Sequence, residues 1–206
     1  MGRQALSTAE IEGFRERLVE VATHLFARRG YEGVTLRAIS EELGCSPMTP
    51  YRYFRGKDEI FAAVRSAAYN DFAAAQEAAR ATHPDPAAAL SALGRAYIRF
   101  ALERPDAYRL MFELGQPDPD GYPELREAEL RAFAPLHGGV GAAVAAGVLA
   151  GDPDEIAHVF WGGVHGVVSL HLAGKLVFGR SLETVLEPML RTLSEGNRGP
   201  QENHTE

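Results

Sequence analysis

The stretch VTLRAISEELGCSPMTPYRYFRGKDEI, residues 34–60, decides the fold of the N-terminal part of this chain. Thr35 is a good N-cap for a helix of about two turns, which Gly44 ends. Ser46 followed by Pro47 is typical of a second helix start, because proline at the first helical position loses no hydrogen bond. Two short helices joined by so tight a turn predict a helix-turn-helix.

Helical signals continue on both sides of this stretch. Ser7 and Glu10 have the capping-box spacing, and an apolar stripe with helical period follows them as far as Gly30. No stretch alternates convincingly with period two, so the predicted fold class is all-α with about nine helices. Beyond the helix-turn-helix, helices are predicted over residues 57–80, a stretch ending near 103, and residues 105–114, 123–149, 154–177 and 182–193.

The charge of the chain is divided unevenly. The 206 residues carry a net charge of -7, which taken alone argues against binding to nucleic acid. Residues 1–57, however, hold nine Lys and Arg against seven Glu, a net +2, which leaves −9 for the remainder. This asymmetry indicates two functions in one chain and places the domain boundary at residue 57, with 1–57 as the binding head and 58–206 as the body.

Composition also excludes several classes of protein. The single cysteine, Cys45, excludes a disulfide within the chain and a cysteine-based metal cage. No secretory signal is visible at the N-terminus, and no apolar run approaches the ~20 residues of a membrane span. The expected location is the cytoplasm, with no membrane partner.

The side chains of the predicted helix-turn-helix fit DNA. Thr35 and the N–H groups of its helix start can hold a phosphate, and nearby cations can add to this contact. Side chains at the tip of the second helix can read base edges and thymine methyls. For Phe54 the packing role is favoured over a DNA role, whereas Tyr53 suits either a phosphate contact or docking onto the first helix.

Residues 34–60 closely resemble the DNA-binding segment of TetR-type transcriptional regulators. The shared pattern is Thr-x-x-x-Ile, Leu-Gly, Ser-x-x-Thr-x-Tyr-x-Tyr-Phe and Lys-x-x-Ile, in fixed register. Cys45 and Pro50 depart from it, and Pro50 predicts a distorted start of the reading helix because it lacks an N–H. The resemblance implies phosphate contacts from Thr35, Arg37, Tyr51 and Lys57, and base or groove contacts from Ser46, Met48, Thr49 and Arg52.

The resemblance also implies a mode of action. The family acts as homodimers on near-palindromic, double-stranded operators, usually as repressors, with reading helices roughly 34 Å apart. In the family the last two helices form a four-helix bundle across the dimer. The function expected here is that of a repressor released by a small, largely apolar effector.

The C-terminal part carries a weaker resemblance. Trp161, His165 and Gly166, together with RPDAYRLMF at 104–112, are similar to a Trp-His-Gly subtype of these regulators. Each candidate pocket residue also suits an ordinary core, and Trp161 and His165, one turn apart, suit a pocket wall or a structural pair equally. The candidate effector-pocket residues are Phe72, Tyr97, Phe100, Met111, Phe112, Phe133, Trp161 and His165.

Other functions are less well supported by the sequence. His158 and His165 lie ~10 Å apart along one predicted helix, too far to bind a single ion together, so neither a metal nor a cofactor is expected. The chain has no phosphate-binding loop, zinc-protease or serine-hydrolase motif, so it is not expected to be an enzyme. A helical adaptor without a DNA role remains an alternative at this stage.

Overall fold

The computed structural model describes residues 7–112 and 121–198, and the fold in these ranges is all-α, as predicted. Eight α-helices and one short 3₁₀ helix are present there, close to the expected nine. None of the described helices is long and apolar enough to cross a bilayer. The helices are α1 (Thr8–Arg29), α2 (Leu36–Glu42), the 3₁₀ helix (Pro50–Arg52), α3 (Lys57–Ala81), α4 (Pro86–Glu103), α5 (Pro105–Phe112), α6 (Pro123–Ala145), α7 (Pro153–Leu172) and α8 (Leu182–Gly196).

The turn after α2 has the geometry that the helix-turn-helix prediction requires. Gly44 adopts a φ of 65°, the left-handed conformation that glycine reaches without strain. The Gly44 N–H donates to the carbonyl of Glu41 (3.2 Å), and the Cys45 N–H donates to the carbonyl of Ser40 (2.9 Å). These two bonds form a Schellman motif, which satisfies the last carbonyls of α2 and turns the chain sharply.

The predicted third helix is the part of the head that the sequence describes least accurately. A turn from Ser46 to Thr49 leads into the 3₁₀ helix, where a continuous α-helix was expected from Ser46 to about Arg55. Pro50 has no N–H to donate to the Ser46 carbonyl, so the first α-helical bond cannot form. The Thr49 N–H donates to that carbonyl instead, at 2.8 Å, which closes a tighter turn.

Helix α7 ends five residues before its predicted end at residue 177. Gly174, with φ 64°, terminates it in a second Schellman motif, in which the Lys175 N–H donates to the Leu170 carbonyl at 2.7 Å. The apolar residues after Gly174 extend the helical pattern in the sequence, but they lie in the loop before α8.

The described chain divides into two compact units. The first comprises residues 7–70, 106–112 and 121–129, and the second comprises residues 71–105 and 130–198. This division concerns packing, so the functional boundary predicted at residue 57 stays a prediction. The core of the first unit consists of Leu18, Ala22, Leu25, Phe26, Val34, Ile39, Phe54, Ile60, Phe61, Val64 and Leu110.

The second unit has its own apolar core between α6 and α7. Its buried members are Val140, Ala143, Leu149, Ile156, Ala157 and Phe160, and Leu193 of α8 packs against them. Gly163 allows this approach of α8, because a Cβ at this position would lie 2.9 Å from a methyl group of Leu193.

Candidate nucleic-acid interface

Thr35 combines a structural role with a free donor at the start of α2. Its hydroxyl oxygen accepts a hydrogen bond from the Ala38 N–H at 3.2 Å, so the side chain caps the helix. The residue is exposed. Because a hydroxyl can accept and donate at once, Thr35 retains its hydrogen for a phosphate oxygen beyond the helix end.

Arg37 lies in the first turn of α2. Its Nε donates to Glu41 at 2.9 Å, and its side chain keeps 80% of its surface exposed. An exposed ion pair of this kind is weak and is screened by salt. Arg37 is therefore able to exchange Glu41 for a phosphate.

The segment from Ser46 to Arg52 places its polar and flexible side chains outward. Met48 is 68% exposed and Tyr51 is 53% exposed, which is unusual for large apolar side chains. Ser46 and Arg52 are exposed beside them, and Arg52 makes no ion pair with any residue that the structure describes. Thr49, the last predicted contact in this segment, is half-buried.

The two residues that follow this segment, Tyr53 and Phe54, fix it to α1. Phe54 is 2% exposed, which confirms its predicted packing role. Tyr53 stacks on Phe14 with ring centroids 4.4 Å apart, so the structure favours the docking role of Tyr53. Arg15 of α1 donates to the Tyr53 carbonyl at 2.5 Å and places its guanidinium 4.2 Å from the centre of the Phe54 ring.

Lys57 is positioned by a residue that the sequence pattern does not identify. Its Nζ donates to the Tyr31 carbonyl at 3.1 Å and lies 4.0 Å from the centre of the Tyr31 ring. The Tyr31 hydroxyl in turn donates to Asp58 in the first turn of α3. Since an ammonium group has three donors, Lys57 keeps donors for a phosphate while its stem is held in place. Sequence alone gives no signal for this contact, which joins residues 26 positions apart.

The predicted effector residues are divided between the two units. Phe72, Tyr97, Phe100, Phe133, Trp161 and His165 lie in the second unit, whereas Met111 and Phe112 lie in the first. Met111 is almost fully buried, and the Phe112 ring packs edge-on against Tyr108 and Tyr69. This packing agrees with an ordinary core role for these two residues.

Three of the second-unit residues form a buried aromatic cluster between α3 and α4. The Phe72 ring meets Tyr97 and Phe100 edge to face, with centroids 5.1 and 5.3 Å apart. The Tyr97 hydroxyl lies 3.2 Å from Nδ1 of His165, whose Nε2 lies 3.2 Å from the Ser169 hydroxyl. Burial lowers the pKa of His165 below its ordinary value of 6.5, so the ring is neutral near pH 7.

Trp161 lies near the edge of this group. The centroid of its ring lies 5.9 Å from that of Phe133 and 6.4 Å from that of His165. The residue is 36% exposed. In the part of the chain that the structure describes, no three His, Cys, Asp or Glu side chains are grouped as around a metal ion.

Two protein-family models match this chain, one in its N-terminal part and one in its C-terminal part. The family model described as bacterial regulatory proteins, tetR family, matches residues 18–64, and the model described as the tetracyclin repressor-like C-terminal domain matches residues 90–193. The matches do not address the Trp-His-Gly subtype, which stays a prediction. Both descriptions are of regulators, which confirms the prediction that the chain is not an enzyme.

Individual relatives agree with these matches. The HTH-type transcriptional regulator Rv1816 of Mycobacterium tuberculosis is 29% identical over 147 residues, which cover 68% of this chain and 60% of the relative. The HTH-type transcriptional repressor AcnR of Corynebacterium diphtheriae is 34% identical over 59 residues, 29% of this chain and 31% of that protein. The alignment with Rv1816 therefore spans less than two thirds of that relative's length.

A solved structure matches almost the whole chain. The candidate regulatory protein SCO4313 superposes with a TM-score of 0.76 at 25% identity, over 92% of this chain and 98% of the other. The N-terminal family match contains the outward-facing segment from Ser46 to Arg52, and the C-terminal match contains the Tyr97–His165 cluster. Matched in both halves, this chain belongs to the TetR family of bacterial regulatory proteins.

Proposed function

We propose that this protein is a DNA-binding transcriptional repressor that reads a near-palindromic operator as a homodimer and leaves it when a small effector binds. The observation that carries the proposal is the exposure of Ser46, Met48, Tyr51 and Arg52 in the segment that follows α2. Met48 and Tyr51 are large exposed side chains next to exposed polar ones, and exposed apolar groups rimmed by polar residues are typical of binding surfaces. Side chains of these types match the edges of bases and the phosphates beside them.

The division of roles among the predicted contacts is the one that the family resemblance implies. Thr35, Arg37, Tyr51 and Lys57 supply phosphate contacts, which fix the orientation of the head. Ser46, Met48, Thr49 and Arg52 contact the groove, and Arg52 can reach a guanine through two parallel hydrogen bonds. The 3₁₀ helix Pro50–Arg52 stands where a longer reading helix was expected from the sequence.

A homodimer through α7 and α8 is supported by an apolar stripe on α7 that faces away from its own core. Val159 is 51% exposed and Leu170 is 47% exposed on this side. Between them, a Cβ added at Gly162 or Gly166 would meet nothing within 4 Å, so these glycines serve no contact within the described chain. A second copy of α7 packing closely against this stripe would account for both glycines.

The response to an effector requires two states of the dimer. Operator affinity falls only if the effector binds better to the state in which the two heads are wrongly spaced for DNA. The aromatic cluster of the second unit, in which Tyr97 and His165 are linked, is the region proposed to receive the effector.

Selection of bound fragments from genomic DNA tests the DNA part of the proposal. The full chain is incubated with sheared genomic duplexes at about physiological salt, and the retained fragments are sequenced. We expect enrichment of a near-palindrome whose half-sites lie about one helical turn, roughly 34 Å, apart. Absence of any enriched duplex over bulk DNA would count against a repressor and in favour of a helical adaptor.

A further inference from the structure

An arginine of α3 reaches across to α6 without meeting a negative charge. The Arg80 guanidinium donates to the Gly138 carbonyl of α6 at 3.3 Å. Arg80 makes no ion pair with any residue in the ranges 7–112 and 121–198. Since the residue is exposed and a guanidinium has five N–H donors, several of these donors stay available for a ligand.

Gly138 makes room for this guanidinium. A Cβ at Gly138 would lie 2.7 Å from Nη1 of Arg80 and 3.3 Å from its Cζ, so close that the arginine would have to move. Gly138 lies inside α6, where glycine stabilises a helix less than alanine does. The glycine therefore gives up some helix stability and leaves a place for Arg80 on the surface of α6.

A cavity of about 480 Å³ is present at this place, within the second unit. Its volume falls in the range of sites for small molecules. None of its lining residues belongs to the aromatic cluster proposed above to receive the effector. The cavity is lined on α3 by Glu77, Arg80 and Ala81, and on α6 by Arg131, Ala134 and Pro135.

The lining has an excess positive charge, and this charge is that of Arg80. Glu77 and Arg131 are paired with each other through two hydrogen bonds of 2.9 and 2.7 Å, so their charges cancel. Arg80 is then the charged lining residue without a counter-charge. A guanidinium binds a carboxylate especially well, because the two groups can form two parallel N–H···O bonds.

We infer that this cavity binds a small organic anion, whose carboxylate pairs with Arg80 and whose apolar body packs against Ala81, Ala134 and Pro135. The anion supplies the charge that the lining lacks, and the three uncharged side chains remove apolar surface of the ligand from water. This inference goes beyond the proposed repressor function: it adds a second ligand site, and it holds whether or not this ligand alters DNA binding.

Three probes that differ in one property each test the inference. Benzoate carries a carboxylate on an apolar ring, benzamide has the same shape without the charge, and acetate has the charge without the ring. Their binding to the full chain is measured by ligand-detected NMR titration at constant ionic strength. We expect benzoate to bind at least about five times more tightly than either of the other two.

Substitution of Arg80 tests the source of the charge. Arg80→Gln removes the guanidinium from an exposed position, so the preference for benzoate over benzamide is expected to disappear while the melting temperature changes little. Arg95→Gln is the matched control, because it removes an exposed arginine of α4 that does not line the cavity. The control has the same change in net charge and should keep the preference.

Substitution of Gly138 tests the placement of Arg80 without changing any charge. Gly138→Ala is expected to displace the guanidinium and to weaken benzoate binding at least ~3-fold, although alanine should leave the melting temperature level or raise it. Gly141→Ala, also on α6, is the control, because a Cβ there meets nothing within 4 Å. It should bind benzoate as the wild type does.

Several results would overturn the inference. These are no saturable binding of benzoate below ~10 mM, benzamide or acetate binding as tightly as benzoate, or a preference for benzoate that survives Arg80→Gln. Equal loss of the preference in Arg80→Gln and Arg95→Gln would show that net charge alone attracts benzoate. Equal affinity for benzoate in Gly138→Ala and Gly141→Ala would contradict the role assigned to the position of Arg80.

Discussion

Lys57 has a defined position before any DNA is present, because the Tyr31 carbonyl and ring hold its ammonium group. A positioned cation contributes to phosphate binding with less loss of side-chain freedom than a mobile one. The resemblance of the sequence to a family pattern predicts that Lys57 contacts DNA, but its support by Tyr31 arises only on folding.

Lys57→Met should weaken binding to specific and scrambled duplexes by a similar factor, because a phosphate contact carries no sequence information. The slope of log affinity against log salt concentration should become shallower by about one. Fluorescence anisotropy titrations at several salt concentrations measure both quantities. Arg95→Ala, which removes an exposed cation from α4, is the matched control, and an equal change in both variants would contradict a specific role for Lys57.

His165 makes stability depend on pH. Because its pKa in the folded state is lowered by burial, the unfolded chain binds more protons as the pH falls below 6.5. The free energy of unfolding should therefore decrease as the pH falls from 6.5 through the lowered pKa, and the contribution of this residue should be constant above 6.5. Urea unfolding of the wild type and of His165→Gln, at several pH values from ~7 downward, measures the free energy of unfolding. If this free energy depends on pH in the same way in both proteins, another group is responsible.

At the scale of elements, the sequence predicts helix starts better than helix ends. The N-caps Ser7 and Thr35 are found where they were expected, because each acts through a hydrogen bond to a residue three positions away. The early end of α7 at Leu172 and the shortened third helix both depend on single residues, Gly174 and Pro50, that outweigh the apolar pattern around them. The helical spacing of apolar residues does not show where a single glycine or proline ends a helix.

Thr35 allows the capping of α2 to be separated from contact with DNA. Thr35→Asp keeps a capping oxygen, so the free energy of unfolding should change by less than about 1 kcal/mol. The carboxylate has no hydrogen to donate and repels phosphate, so operator affinity should fall at least ~10-fold. Thr35→Ser keeps both functions and serves as the control, and undiminished operator affinity in Thr35→Asp would place Thr35 away from the phosphates.

At the scale of the whole molecule, the all-α fold, the helix-turn-helix and the family are predicted from sequence and then confirmed. The effector residues are the part that sequence places least well, because aromatic side chains in helical register serve a core and a pocket equally. Met111 and Phe112 pack in the first unit, whereas Tyr97 and His165 are linked in the second. Residue type alone does not distinguish these surroundings.

The dimer proposed through α7 and α8 predicts opposite effects of Gly162→Leu on association and on stability. Within a single chain the position is open, and leucine favours helix over glycine by up to ~1 kcal/mol, so the monomer should not be destabilised. Two α7 helices could no longer approach closely, so the dissociation constant of the dimer should rise at least ~10-fold. Sedimentation velocity across a concentration series measures this.

The control for the dimer prediction is Gly141→Leu. Gly141 lies on α6, where an added Cβ also meets nothing within 4 Å, but outside the proposed interface. This variant should sediment as wild type does. A Gly162→Leu protein that dimerises as tightly as wild type would place the interface elsewhere.

One competitive titration shows whether the N-terminal head reads operator DNA. The full chain, labelled and held at ~0.15 M salt, is titrated with the near-palindromic duplex obtained by selection and with a scrambled duplex of equal composition. The account predicts at least ~10³-fold tighter binding to the selected duplex, with Arg52→Ala losing about 1–3 kcal/mol of that preference. Equal affinity for the two duplexes, or a preference that Arg52→Ala leaves intact, would contradict it.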